Sequence, residues 1–218
     1  MIKTELHYND NYPQENYDIT YLNNSEKSLF MKPLLNGGNP FSFIYRNDTL
    51  IRTEQKVEGL RYPQSNDYKY KNGLLTLIIT KFDYLGSIGI LETELFYEGK
   101  NLVKIISNDK ASRIKKVEIE NVKYDLNKNW MSNNSFKSYI LADFVGAEKF
   151  YKLLALSENN ATEYTSHEIG GFPIGAENTN IKLLYELDNE KRPLKITETR
   201  VGDGKTTTII ENYNYSCK

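Results

Sequence analysis

The 218-residue sequence has little cysteine and little histidine: one cysteine, Cys217, and two histidines, His7 and His167. A single cysteine excludes an intramolecular disulfide and any zinc site built from cysteine pairs. The two histidines lie far apart in the sequence, and neither has a second ligand at a metal-like spacing. We therefore expect no metal and no cofactor.

An excess of charge of one sign is also absent. The chain has 28 Lys and Arg against 29 Asp and Glu, which gives a formal net charge of -1 at pH 7. Such a balance creates no bulk field that would attract nucleic acid or an anionic membrane. Nucleic acid is therefore not an expected partner.

Long apolar runs are missing as well. No run of about 18 apolar residues occurs, and the N-terminal stretch MIKTELHYNDNYPQ lacks the apolar segment of a signal peptide. If Met1 is the true start, the expected location is the cytoplasm, although a trimmed chain would look the same. Length and composition favour one β-rich domain over residues 1–218.

Aromatic residues, by contrast, are abundant: they make up 12% of the chain and include 17 tyrosines. Aromatic side chains favour the pleated surface of a β-sheet. The stretch YKYKNGLLTLIITK, residues 68–81, alternates tyrosine with lysine, reaches Asn72-Gly73 and continues as an apolar run. This pattern predicts a β-hairpin with a type I′ turn.

The hairpin pattern recurs along the chain as an apolar residue, any residue, tyrosine, a polar residue, a turn and then leucine. A repeat of about 27 residues holds two strands and two turns. The sequence therefore predicts a mainly β fold, an antiparallel meander that forms a strongly curved or barrel-like sheet. The tyrosines that align in this pattern are Tyr45, Tyr70, Tyr97, Tyr124, Tyr185 and Tyr215.

Strand faces follow from the two-residue period of a β-strand. In ILETELFYEG, Leu95 and Tyr97 fall on one face, and Glu92 and Glu94 fall on the other. The motif tyrosine is therefore expected to point inward and the acids outward, and equivalent tyrosines should be buried. In KKVEIENVKYDL the apolar phase slips at Glu120-Asn121, which predicts a β-bulge.

One part of the chain has helical periodicity. The stretch SFKSYILADFVGAEKFYKLLAL places apolar residues at helical spacing, which predicts one or two short helices near residues 136–156 packed on the sheet. Such a helix would cover the run LLTLII, residues 74–79, which is apolar on both faces. A membrane-surface helix is the alternative, but the polar face is not especially basic.

These hairpins, together with the terminal YNYSC, resemble uncharacterised Bacteroidetes lipoproteins whose repeats are similar to the YD repeats of RHS proteins. The resemblance covers about residues 19–217. Only Tyr124-Asp125 keeps the Tyr-Asp dipeptide, and the regular Tyr-Asp-x-x-Gly spacing is absent. The resemblance implies a porin-like β-meander outside the cytoplasm, on the outer membrane surface or in the periplasm.

The same resemblance implies a lipid anchor on a cysteine upstream of residue 1. It implies no catalytic residue, and by analogy it suggests a binding role beside an outer-membrane importer, with a glycan, peptide or protein as the partner. Two other functions stay open. One is a hydrolase that uses paired carboxylates, for which Glu92/Glu94 and Glu118/Glu120 have the spacing. The other is a purely structural module.

The stretch SENNATEYTSHEIGGFPIGAENTN, residues 157–180, shows neither the helical nor the strand period. A compact domain rarely keeps so long an irregular segment unless it is functional or disordered. The polar first part is expected to be mobile, and the second part should be ordered against the sheet or a partner. We expect Tyr164, His167 and Phe172 to form part of the ligand-binding surface, with plain loop packing as the alternative.

Overall fold

The structure is a computed structural model. It describes residues 4–8, 17–22, 28–33, 41–56, 59–110, 115–129, 141, 150–169, 176–202 and 204–215. Side chains are described for residues 42–56, 59–83, 85–110, 118–129, 141, 153–167, 178–202 and 204–210.

Nearly all of these residues belong to β-strands. The strands are β1 (Thr4–Tyr8), β2 (Tyr17–Leu22), β3 (Ser28–Pro33), β4 (Phe41–Arg46), β5 (Thr49–Gln55), β6 (Gln64–Lys71), β7 (Leu74–Tyr84), β8 (Ser87–Glu98), β9 (Asn101–Asp109), β10 (Lys115–Lys128), β11 (Asn159–Ile169), β12 (Ala176–Leu187), β13 (Pro193–Gly202) and β14 (Lys205–Tyr215). A 3-10 helix spans Phe150–Leu156. No helix within the described ranges is long and apolar enough to cross a membrane.

The strands form one antiparallel sheet in the order β1-β14-β13-β12-β11-β10-β9-β8-β7-β6-β5-β4-β3-β2. From β2 to β14 each strand pairs with the next one in sequence, and β1 pairs with β14 through Thr4↔Tyr215 to Tyr8↔Glu211. The sheet is therefore the predicted meander, extended at one edge by the N-terminal strand. Among the described residues no ladder joins β1 to β2.

Chain connectivity requires this sheet to curve. If it were flat, β1 and β2 would be separated by thirteen strand spacings of about 4.8 Å, or roughly 62 Å. Tyr8 and Tyr17, however, are joined by a stretch of chain that reaches at most about 32 Å. The two edges must therefore approach each other, which gives the sheet a concave inner face and a convex outer face. One buried cluster that includes both Phe43 of β4 and Ile181 of β12 lies on the inner face.

Three successive hairpins repeat the same register. Tyr45 pairs with Leu50, Tyr70 with Leu75 and Tyr97 with Leu102, and a register shift precedes each tyrosine. The turns are two residues long: Asn47-Asp48, Asn72-Gly73 and Gly99-Lys100. Asn72 (φ 52°) and Gly73 (φ 78°) both have the positive φ that a type I′ turn requires.

The two faces of the sheet match the predicted alternation. On β8, Leu91, Thr93 and Leu95 are buried and Glu94 is exposed. The slip predicted at Glu120-Asn121 is present as a register shift between Glu120 and Lys123, where Asn121 has a φ of 56°.

Described residues between β10 and β11, namely Leu141 and the 3-10 helix Phe150–Leu156 with Ser157, pack on the inner face, and we call them the inner segment. Leu141, Leu153, Leu154 and Leu156 are all buried in the main core cluster. Tyr68 on β6 donates a hydrogen bond to the backbone oxygen of Leu141 (3.0 Å). The inner segment therefore contacts β6 through Leu141 and the strands β9, β10 and β11 through the 3-10 helix.

The predicted helices near 136–156 are represented in the described residues by the 3-10 helix Phe150–Leu156 and by Leu141. The helix packs on the inner face and not over the outer side of LLTLII. On the outer side, Leu77 pairs with Lys69 and Glu94, and Ile79 pairs with Asp67 and Glu92. Aliphatic stems of charged side chains can shield such positions.

The prediction that residues 157–180 are irregular is wrong for most of this range. Residues 159–169 form β11, and β12 begins at Ala176. The strand period is hidden in the sequence because a register shift near Glu163 puts both Ala161 and Tyr164 on the buried side.

Candidate functional site

The tyrosine belt, formed by Tyr45, Tyr70, Tyr97 and Tyr124, is the candidate site. Its members lie on alternate strands of the inner face, close to the end where the hairpins β4–β5, β6–β7 and β8–β9 turn. The paired leucines Leu50, Leu75 and Leu102 are buried between them. The belt therefore has a leucine floor from which phenol rings project toward the rim.

The belt tyrosines are only partly buried, in contrast to the sequence-based expectation. Tyr45, Tyr97 and Tyr124 are half-buried against the core, and Tyr70 is 36% exposed. The core tyrosine Tyr68, by comparison, is 5% exposed. The difference arises because the belt lies at the rim, where the turns leave one side of each ring open.

The phenol groups of the belt converge because side chains on a concave face approach one another. Burial, together with the neighbouring Tyr45 phenol, raises the pKa of Tyr70 to about 12. Burial also raises the pKa of Tyr97, with contributions from Tyr124 on one side and Tyr70 on the other. The phenols of Tyr70, Tyr97 and Tyr124 are therefore uncharged donors and acceptors at neutral pH.

Tyr124 anchors one end of the belt to the inner segment. Its hydroxyl donates to the backbone oxygen of Leu102 and lies 2.9 Å from Ser157 Oγ. The Ser157 hydroxyl oxygen in turn accepts from the backbone N–H of Leu102 (3.0 Å). The pKa of Tyr124 is raised to about 12, mainly by burial.

A cluster of amide side chains holds this anchor from the other side. Asp125 accepts hydrogen bonds from the backbone and side-chain N–H groups of both Asn127 and Asn160. Asn159 and Asn101 exchange two further hydrogen bonds, each 3.0 Å long. These hydrogen bonds therefore fix the rim beside Tyr124.

The residues that the sequence indicates as a ligand surface do not share a face. Tyr164 is 3% exposed and belongs to the inner core cluster. His167 is half-buried on the outer face, where its Nδ1 lies 2.5 Å from Asn178 Oδ1 and its Nε2 lies 3.1 Å from Glu120 Oε1. Phe172 lies outside the described residues. A binding role for these three residues stays a prediction.

The candidate carboxylate pairs lie on the outer face among basic side chains. Glu92 contacts Lys110 Nζ at 2.6 Å, and Glu118 contacts Lys104 Nζ at 2.5 Å. Glu120 lies between Lys104 and His167. Such an arrangement stabilises both charges of each pair and forms an ordinary solvated ion-pair row on a sheet.

Sequence reasoning missed the belt because it assigned the motif tyrosines to the core. The sequence signal for a rim position was that each tyrosine directly precedes a polar, turn-forming stretch, which is where a strand reaches the rim. It also missed a buried acid on the inner face, Glu198, which is 5% exposed and bonded to Arg200. Within the part of the chain that the structure describes, no three His, Cys, Asp or Glu side chains are grouped as metal ligands.

No protein-family model matches the chain, and no curated protein matches it. A solved porin-like protein from Bacteroides vulgatus ATCC 8482 is similar in fold, with a TM-score of 0.60 and 12% sequence identity over 99% of this chain and 98% of that chain. A porin-like protein from Bacteroides uniformis ATCC 8492 aligns over 98% of this chain and 97% of that chain, at 11% identity and a TM-score of 0.36. The second score is too low to indicate a shared fold. The first shows that this chain has a porin-like β-meander fold.

Proposed function

We propose that the protein is a non-enzymatic binding protein of the cell envelope and that the tyrosine belt is its contact surface for a neutral glycan chain. The observation that carries this proposal is the convergence of the four belt phenols near the rim of the concave face, with Tyr70 the most exposed of them. A tyrosine ring offers an apolar face to the C–H face of a sugar, and its hydroxyl can donate to and accept from sugar hydroxyls.

The spacing of the belt also favours an extended ligand. Adjacent members lie two strands apart, which corresponds to about 9.6 Å along the sheet. A chain molecule laid along the rim can therefore meet several rings in succession. The buried leucines between the rings supply an apolar floor, as is usual for small-molecule sites with a few well-placed polar groups.

The envelope location belongs to the same proposal. It is supported by the resemblance to Bacteroidetes lipoproteins and by the likeness in fold to a porin-like protein. A lipid anchor on a cysteine upstream of residue 1 and an association with an outer-membrane importer are further parts of the proposal, and neither enters the argument for the belt.

The test is affinity electrophoresis in gels that contain soluble starch, xylan or glucomannan, with pectin as an acidic comparison. Wild type should be retarded by at least one neutral polysaccharide. Tyr70→Ala should weaken that binding at least about tenfold, because the most exposed ring of the belt is lost. Tyr70 is the preferred position because its truncation removes the least buried surface of the four.

Phe96→Ala is the matched control. Phe96 is 41% exposed on the outer face of β8, next to Tyr97 in sequence but on the opposite side of the sheet. Its replacement should leave the mobility unchanged. Wild-type mobility that no polysaccharide alters, or equal loss in both variants, would contradict the proposal.

A further inference from the structure

The β7–β8 hairpin turns at Leu85-Gly86, at the end of the sheet opposite the tyrosine belt. Both residues have positive φ, 52° and 80°, as do Asn47-Asp48 and Asn72-Gly73 in the matching turns. Asparagine and glycine tolerate this conformation, whereas a leucine there is strained. The folded state therefore gains nothing from leucine at this position.

The strained leucine is also exposed to solvent. Leu85 is 91% exposed, and its neighbours Ile88 and Leu60 are 52% and 40% exposed. We call these three residues the apolar tip. Strain and apolar exposure at one residue, with no folding benefit from either, indicate a functional contact.

Asp83 holds the apolar tip in place. Its Oδ2 accepts from the backbone N–H groups of Arg61 (2.9 Å) and Tyr62 (3.1 Å), and its Oδ1 accepts from that of Gly86 (2.9 Å). The loop that carries Leu60 is thereby fixed beside the turn that carries Leu85. These hydrogen bonds also lower the pKa of Asp83.

Exposed cations lie beside the apolar tip. They are Arg61, next to Leu60 in the sequence, Lys56 after the end of β5, and Lys110 after the end of β9. The described acids on β7, β8 and β9 at this end are Asp83, Glu92 and Asp109, and all three are half-buried. Asp83 is bonded to backbone N–H groups and Glu92 to Lys110. Among the described residues beside the apolar tip, the exposed charged side chains are therefore basic.

A bilayer surface fits this chemistry better than a protein pocket. Three side chains supply much less than the roughly 800 Å² per partner of a stable protein interface. A peripheral membrane contact needs only a few inserted apolar side chains with cations at headgroup level. Tyr62, with the guanidinium of Arg61 5.5 Å from its ring, is suited to the headgroup region.

We propose that the apolar tip inserts into the surface of a bilayer that contains anionic lipids, with the neighbouring cations at the headgroups. The tyrosine belt then faces away from the bilayer, because β7 spans about 36 Å between the two ends. Thr4 pairs with Tyr215 at the belt end. An upstream lipid anchor in the same bilayer would therefore need about eleven extended residues to span that length.

The test is cosedimentation with vesicles of three parts phosphatidylcholine to one part phosphatidylglycerol, and with vesicles of phosphatidylcholine alone. Wild type should bind the mixed vesicles several-fold more strongly. Leu85→Asn should weaken that binding at least about fivefold, the effect of removing one inserted leucine. The same variant should unfold at an equal or higher temperature, because asparagine suits the turn.

Leu126→Asn is the matched control, since Leu126 is 99% exposed but lies at the belt end of β10. It should bind vesicles like wild type. Wild type that stays in the supernatant, Leu85→Asn that binds undiminished, or equal binding with and without phosphatidylglycerol would each overturn the proposal. None of these outcomes bears on polysaccharide binding by the belt.

Discussion

At the residue scale, Tyr124 shows how a side chain can replace a missing strand partner. The β9–β10 ladder ends at Ile119↔Ile105, which leaves the backbone groups of Leu102 without a partner on β10. The Tyr124 hydroxyl donates to the backbone oxygen of Leu102, and the Ser157 hydroxyl oxygen accepts from the backbone N–H of Leu102. A buried backbone group without a partner costs free energy comparable to a lost hydrogen bond, so these two hydroxyls stabilise the rim.

Tyr124→Phe should therefore destabilise the fold. The substitution removes the donor to a carbonyl oxygen that has no other described partner on β10, and the expected loss is about 1 to 3 kcal/mol in the free energy of unfolding. Urea denaturation measures it. Tyr70→Phe, at the open part of the belt, is the control and should change stability by less than about 0.5 kcal/mol. Equal losses in the two variants would show that the Tyr124 hydroxyl is not the anchor.

His167 should make stability depend on pH. The hydrogen bond with Asn178, followed by that with Glu120, raises the pKa of His167 above its ordinary value of 6.5. A raised pKa in the folded state means that protonation stabilises it. The contribution is fully present below the ordinary pKa and is lost as pH rises through the raised value.

The urea midpoint of wild type should therefore fall between pH 6 and pH 8 by more than that of His167→Gln. The comparison between the two proteins isolates His167 from the other titrating groups. Parallel pH profiles for wild type and the variant would show that the imidazole does not gain these partners on folding.

At the scale of elements, the β7–β8 hairpin depends on a close contact between a ring and a glycine. Phe82 pairs with Gly89, and a Cβ atom at position 89 would lie 2.5 Å from Cζ of the Phe82 ring. The ring thus occupies the space that a side chain at Gly89 would need, as in the aromatic covering of strand glycines.

Gly89→Ala should cost about 1 to 3 kcal/mol, because the Phe82 ring must move. In the Phe82→Leu background the same alanine should cost less, since the smaller side chain leaves room. A double-mutant cycle by urea denaturation should give a coupling of at least about 0.5 kcal/mol. A coupling near zero would mean that the ring does not cover Gly89.

The elements that the sequence predicts well are those with local causes. Asn72-Gly73 and the alternation around Leu95 act within a few residues, so the sequence predicts the hairpins and the two faces of their strands. The sequence does not predict β11, because the register shift near Glu163 interrupts the alternation of that strand. The same reason applies to the belt: whether Tyr70 is core or rim depends on where the strand ends in the curved sheet.

At the scale of the whole molecule, pairing of the first strand with the last strand sets the shape. The β1–β14 ladder joins residues about 200 positions apart, and no local sequence pattern predicts this pairing. Its consequence is curvature, which brings the phenols of the belt together. Whether Tyr164, His167 and Phe172 could form one ligand surface also depends on the arrangement of the strands. Tyr164 and His167 lie on opposite faces of one strand, which the sequence pattern does not show.

Curvature of the sheet is thus the central claim, since both the buried core on the inner face and the tyrosine belt depend on it. Small-angle X-ray scattering of the monomer tests it most directly. A compact chain of this length should have a radius of gyration of about 17 Å. A flat sheet about 62 Å wide and 37 Å tall would give about 21 Å. A value near 17 Å is the result the curved sheet predicts, and a value of about 21 Å or more would contradict it.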